Sequence, residues 1–312
     1  MDLRQRVLAY YLENFRQLEI PEQFHFATRM RAWLGIPEAS DHLQTLRAEI
    51  VPEPATPEVF TDMFREMIRT ESYDDVNALN LRAPYFAQYA PLRGLELALF
   101  RLHWLRAVYG YDARQSLLDV VNLPSLQRLE KTLLQDHDAL RALSTYAVNF
   151  VYLLHQDVLG NADVPQETFY GIGASYDTRD LAQLQLFIYL YTHCILCEAG
   201  FYTQRIPAER LPMCRTMLAD LEKTIGEHYD NIHLDNKLEF LVCCRVCNFS
   251  TDLSERIEAE CQKSVSDEGV FLIDKHNANP QTHRRSFASS EHRNALFIMS
   301  GSAYAPHSIA VS

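Results

Sequence analysis

Asp180 to Pro207 reads DLAQLQLFIYLYTHCILCEAGFYTQRIP. Up to Ala199 the stretch has the length of about five helical turns and is apolar nearly all the way round. A helix without a polar face must be covered on every side. Yet this one carries Thr192, His193 and Glu198 toward its far end. Titratable groups in such surroundings are costly unless they are paired or used. The segment therefore points to a helical interior and to a first candidate site.

The chain beyond it repeats the theme. Pro207 and Pro212 open an amphipathic helix to about His228, and Asp235 caps an apolar helix that runs through Phe249. Asp252-Leu-Ser-Glu255 has the pattern of a capping box and starts the next helix. Val270 to Asp274 reads as a short extended piece and residues 275–289 as a polar loop. Ser290 to Ser300 is a last apolar helix, with Ser290 at its N-cap. Helices covered all round alternate with helices that expose one face, as two packed layers require.

Upstream, Leu3, Val7, Leu8, Tyr11, Leu12 and Phe15 mark an amphipathic helix by their three- and four-residue spacing. Pro21 opens a second helix to about Leu34, and Ser40 or Asp41 caps a third to about Ile50. Thr56-Pro57-Glu58 reads as cap, first helical position and first-turn acid. Residues 71–91, broken by Pro84 and Pro91, read as irregular. Leu92 to Val108 is a long apolar helix containing His103. Ser144 to Leu159 is another, ending at Gly160 in the position of a left-handed cap. Residues 161–179 read as a loop. Only 10 glycines and 13 prolines punctuate 312 residues, too few for the turns of an all-β chain.

The expectation is one all-α domain over residues 1–300 with a flexible tail over 301–312. Residues 180–300 resemble the helical hairpins of (α/α) toroids, the barrel architecture of terpene cyclases, prenyltransferase β-subunits and several glycosidases and polysaccharide lyases. The resemblance lies in Tyr191-Thr192-His193 on an apolar helix ending at Gly200-Phe201-Tyr202, the helix pair that follows, the Asp267-Glu268-Gly269-Val270-Phe271 exit, and Glu291-His292 entering an apolar helix. Poorly characterised bacterial toroid proteins share this layout. The resemblance implies a helical toroid, complete or incomplete, with a polar cavity at one end. No Asp-Asp-rich cyclase motif occurs, and no catalytic residue carries over from a named family.

Charge and motif content exclude several classes. The formal net charge is −12, from 41 acidic and 29 basic residues, and no basic run occurs. That disfavours a nucleic-acid partner. The N-terminus lacks a secretory pattern and no window spans a membrane, so the expected location is cytoplasmic. No Walker loop, dinucleotide fingerprint, G-x-S-x-G or H-E-x-x-H occurs. His193 with Cys197, and Cys243 with Cys247, have the i, i+4 spacing of helical metal ligands. Buried apolar helices also use cysteine as a small hydrophobe, and without a paired knuckle the expectation is no metal site.

The candidate catalytic residues are His193, Glu198, Glu291 and His292; the candidate binding residues are Thr192, Tyr202, Asn294 and His103. Histidine with a carboxylate suits proton transfer near neutral pH. His193 and Glu198 stand about 140° apart around their helix, so they face different neighbours. Each histidine also has a structural reading, as a core imidazole bonded to its surroundings. His276, His283, Arg284 and Arg285 enrich the loop before Glu291. Tyr85, Tyr89, Tyr170 and Tyr176 are candidates for an aromatic rim. Two functions stay open. One is an enzyme acting on a small or peptide-like metabolite by His/carboxylate acid–base chemistry. The other is a non-catalytic helical scaffold for a protein or peptide partner. No cofactor is specified, and a homo-oligomer stays open.

Overall fold

The computed structural model describes residues 2–70, 79–274 and 286–311, the side chains of residues 70, 79 and 80 excepted. Its first helices are α1 (Leu3–Glu13), α2 (Ile20–Leu34), α3 (Pro37–Thr45), α4 (Arg47–Ile50), α5 (Pro57–Thr70) and α6 (Leu79–Gln88). Then come α7 (Leu92–Tyr109), α8 (Arg114–Val120), α9 (Leu123–Gln135), α10 (His137–Leu143), α11 (Thr145–Leu153) and α12 (Gln166–Gly173). The last are α13 (Leu181–Glu198), α14 (Leu211–Glu227), α15 (Leu234–Val246), α16 (Ser254–Lys263) and α17 (Glu291–Ser300). The described residues are all-α and contain no strand, only an isolated antiparallel bridge between Val265 and Leu272. None of their helices is long and apolar enough to cross a membrane.

The chain divides into two compact units, residues 1–46 with 198–309, and residues 47–197 with 310–312. In the first unit α17 packs against α1, α2 and α15. Every residue of α17 except His292 is buried, and so are most residues of α15. The neighbouring α14 buries Cys214, Met217, Leu218, Leu221 and Ile225 on one face and exposes the other. After α17 the chain has no regular structure. The His307 N–H still donates to the Ala32 carbonyl, and Tyr304 packs on Trp33 at 4.7 Å between ring centroids.

In the second unit α7 packs against α5 and α11, and α10 against α6, α9 and α12. Gly94 of α7 lies so close to the Ile68 backbone that a Cβ would sit 2.7 Å from its Cα, so only glycine permits that crossing. The apolar α13 is buried or half-buried from Gln183 onward, with its first turn exposed.

Several local expectations differ from the structure. Residues 79–88 form a helix despite Pro84, because burial of Phe86 and the Tyr89 hydroxyl bonded to Asp136 outweigh one lost backbone bond. The presumed loop over 161–179 contains α12, which buries Phe169 and Ile172. The helix expected from Ser144 to Leu159 changes at Leu154 into a π-helical turn, Leu154–Leu159, before Gly160 closes it in the left-handed region. That wide turn anchors two side chains, His155 to Glu130 and Asp157 to His103. The Asp252 capping box does not form. Instead the Asp252 N–H and the Thr251 hydroxyl both donate to Glu222.

Candidate active site

α17 enters the first unit through a 3-10 turn, Ala288–Ser290, rather than a side-chain cap. That turn already occupies the backbone, so Ser290 Oγ is left to accept from Arg293 at 3.4 Å. Glu291 therefore does not act as a solvated first-turn acid. It is 3% exposed, and its carboxyl meets His25 Nδ1 of α2 at 2.8 Å. One residue on, His292 is half exposed and faces Asp235 Oδ1 of α15 at 3.5 Å. Arg293 forks onto the other oxygen, with Nε at 3.0 Å and Nη2 at 2.6 Å from Asp235 Oδ2. The rings of His25 and His292 lie 5.3 Å apart. Two imidazole–carboxylate pairs thus stand side by side at the start of one buried helix.

The electrostatics differ between the pairs. Burial pushes the Glu291 carboxyl up to about 7, against the nearby charges of Arg29 and His292, which act to lower it. Burial also holds His25 well below the ordinary imidazole value, helped by the cations of Arg29 and His292. The pair therefore shares one proton around neutrality while His25 stays neutral. Below about pH 7 the Glu291 hydroxyl donates to Nδ1; above it the carboxylate accepts from Nδ1–H. That change switches the His25 tautomer, and with it Nε2 from donor to base. Asp235 behaves oppositely. Burial raises its carboxyl, but the Arg293 charge and the His292 contact more than offset this and hold it well below the carboxylate range.

Other candidates gather in the same unit. Arg29 places its guanidinium 5.5 Å from the centre of the Tyr202 ring, so Tyr202 shares with Glu291 a neighbouring cation. Gly200, Phe201 and Tyr202 are three successive residues with positive φ, which is strained backbone for the two aromatics. Asn294 is fully buried. Its amide nitrogen lies 2.7 Å from Ser290 O, 3.0 Å from Leu272 O and 3.2 Å from Tyr11 Oη. Its oxygen accepts from the Leu272 N–H at 2.7 Å, so it ties the 265–272 bridge to α17. Glu198 also belongs to this unit, and its carboxylate takes Arg210 Nε at 3.0 Å and Nη2 at 2.7 Å.

His193, Thr192 and His103 belong to the second unit. Asn149 donates its amide to Glu96 at 2.8 Å and presents its oxygen to His193 Nδ1 at 3.0 Å. His193 therefore carries its proton on Nδ1. The Thr192 hydroxyl donates back to the Ile188 carbonyl at 3.0 Å, as buried helical threonines do. His103 Nδ1 lies 3.0 Å from Asp157, whose other oxygen meets Arg106 at 2.5 Å. Among the rim candidates, Tyr89 and Tyr176 are buried and bonded to Asp136 and the Arg141 carbonyl, while Tyr85 and Tyr170 are half-buried.

All seven cysteines are buried and free of disulfides. Burial pushes the Cys261 thiol up to about 12 and raises Cys243 and Cys244 further, which makes them poor nucleophiles. Among the described residues no group of three or more His, Cys, Asp or Glu side chains is placed to hold a metal ion. His276, His283, Arg284 and Arg285 lie outside the described residues.

Sequence reasoning missed His25, Arg29 and Arg293, and it read Asp235 as a helix cap. The α15 N-cap is His233, and Asp235 turns to Arg293 instead. His25 lies 266 positions from Glu291 along the chain, a separation no local pattern bridges. Comparison with family models, with curated proteins and with solved structures finds no match.

Proposed function

We propose that this protein is an enzyme acting on a small or peptide-like metabolite by proton transfer at the start of α17. The reading rests on one observation. A nearly inaccessible carboxyl, Glu291, is hydrogen-bonded to His25 and adjoins a half-exposed imidazole, His292, which is itself set by Asp235. A fold held only by packing gains little from such an arrangement, because buried ionisable groups cost more than apolar ones of the same size. General acid–base catalysis, in contrast, needs a proton store that titrates near neutrality and an imidazole within reach of solvent.

The geometry supports the following roles. Glu291 stores the proton, His25 relays it by exchanging tautomers, and His292 is the group that meets substrate. Asp235 orients His292 through Nδ1, leaving Nε2 to act, and Arg293 keeps Asp235 ionised. Glu291 is faced by His25 and Arg29 from α2, by Tyr11 from α1, and by His292 and Arg293 of its own helix, with Asp235 of α15 beyond them. A toroid-like order of helical hairpins is part of the same reading. It is supported by α14 packing on α15 and α15 on α16 in sequence.

The test uses the purified full chain and a metabolite extract with a di- and tripeptide library, analysed by mass spectrometry. Turnover of a compound by the wild type, lost in Glu291→Gln and in His292→Ala with helical dichroism unchanged, is the expected result. No turnover, with binding of a peptide that both variants retain, would replace the enzyme by the scaffold.

A further inference from the structure

A cavity opens at the end of α17 opposite Glu291. It encloses about 500 Å³ between the linker that leads into α14, the end of α15 and the segment after α17. The ten residues of α17 put it about 14 Å from Glu291 along the helix axis. Asn248 takes the left-handed conformation just past α15, and the Phe249 N–H returns to the Cys244 carbonyl at 2.8 Å. This helix-ending motif sets the Phe249 ring into the cavity wall.

The lining is unusual for this chain. Arg205 and Arg245 both line the cavity, with Ile206, Leu211, Phe249 and Tyr304, and among the described residues no carboxylate lines it. The whole chain has 41 acidic residues against 29 basic ones, so a cavity with two guanidiniums and no acid runs against its composition. Acceptors around the cavity are already engaged. Arg245 Nε donates to the Ser300 carbonyl at 3.0 Å, and Arg215 covers the Cys247 carbonyl with two donors at 3.1 Å. The Glu198 carboxylate is held by Arg210. Arg205 is exposed and forms no ion pair among the described residues, yet its charge reaches the Tyr304 hydroxyl.

We infer that this cavity is a binding site for a small organic carboxylate with an aromatic or apolar body. Arg205 and the free end of Arg245 take the carboxylate, for which the planar guanidinium is the matching donor. Phe249, Tyr304 and Leu211 take the body. A concavity that sets charged donors beside apolar and aromatic side chains has the make-up of a small-molecule site.

The probe is benzoate, with benzamide as its uncharged counterpart, titrated into the full chain and followed by amide chemical shifts. Saturable benzoate binding in the millimolar range or tighter is expected. Its shifts should centre on residues 244–249 and 301–304, with benzamide binding much more weakly. Arg205→Ala should weaken benzoate by at least about tenfold, since a charge-assisted hydrogen bond is lost. Arg205→Glu should abolish binding, with dichroism unchanged in both variants because Arg205 is exposed and forms no ion pair among the described residues. Glu291→Gln should bind benzoate as the wild type does, which separates this site from the acid–base cluster. Absence of saturable binding, equal affinity for benzamide, shifts centred on His25 and His292, or wild-type affinity in Arg205→Ala would each overturn the inference.

Discussion

Two histidines in each compact unit differ in what they leave adjustable. In the second unit His193 leans on the Asn149 amide, which is fixed by Glu96, and His103 leans on Asp157, which is fixed by Arg106. Each imidazole there meets a partner that is itself locked. In the first unit His25 meets a buried carboxyl whose proton comes and goes near pH 7, and His292 keeps a half-exposed ring beside an ionised Asp235. The same residue types give a rigid polar clamp in one place and a titratable pair in the other. The difference comes from the partner and its burial, not from histidine.

The largest break in that contrast should come from Arg293→Ala. It strips the buried cation from Asp235 and should cost about 3–5 kcal/mol, the usual penalty for one half of a buried pair. A urea melt with the slope unchanged measures it. A loss below about 1 kcal/mol would mean that Asp235 is solvated well enough to need no partner.

Glu291→Gln probes the titratable side. A carboxyl raised from 4.5 to about 7 favours the folded state fully below 4.5, and that contribution fades as pH rises through 7. At about 1.4 kcal/mol per pH unit the span is about 3 kcal/mol. His25, held low, acts in the opposite sense. Its unfolded form takes a proton as pH falls below 6.5 while the folded form does not, so stability is lost on the acid side. Asp235, also held low, contributes stability above the ordinary carboxylate value that is lost as pH falls through its folded one. The informative quantity is therefore the difference between wild type and Glu291→Gln at each pH. Relative to the variant, the wild type should lose stability between pH 4.5 and 7. A difference independent of pH would show that Glu291 titrates as an ordinary carboxylate.

His193→Ala tests the clamp. It leaves the Asn149 oxygen only the weak Cys197 thiol donor at 3.6 Å and should cost about 1–3 kcal/mol. A cost near zero would mean that water replaces the ring and that His193 faces a cavity.

The smallest effect is expected at the thiols. Brief iodoacetamide treatment of the native chain should add no more than a trace of label, because all seven cysteines are buried. Rapid labelling of Cys243 or Cys247 would reveal local opening at the end of α15.

Much of the secondary structure was legible in the sequence because periodicity and end signals are local. The start of α2 at Pro21, the left-handed closure at Gly160 and the burial of α13 all rest on a few adjacent residues. Helices through Pro84 and over 166–173 were not legible, since they depend on burial of Phe86 and Phe169 against distant elements. Glu291 and His292 were legible as candidates because two ionisable residues open an apolar helix. Their chemistry was not. The sequence by itself determined an all-α chain with polar groups in buried helices, since apolar spacing decides which faces need cover. Only tertiary structure decided that Asp235 would serve Arg293 and His292 rather than cap its own helix, and that His25 would reach Glu291. The reason is physical. A buried charge takes the nearest good partner in space, and that partner can come from any helix packed beside it.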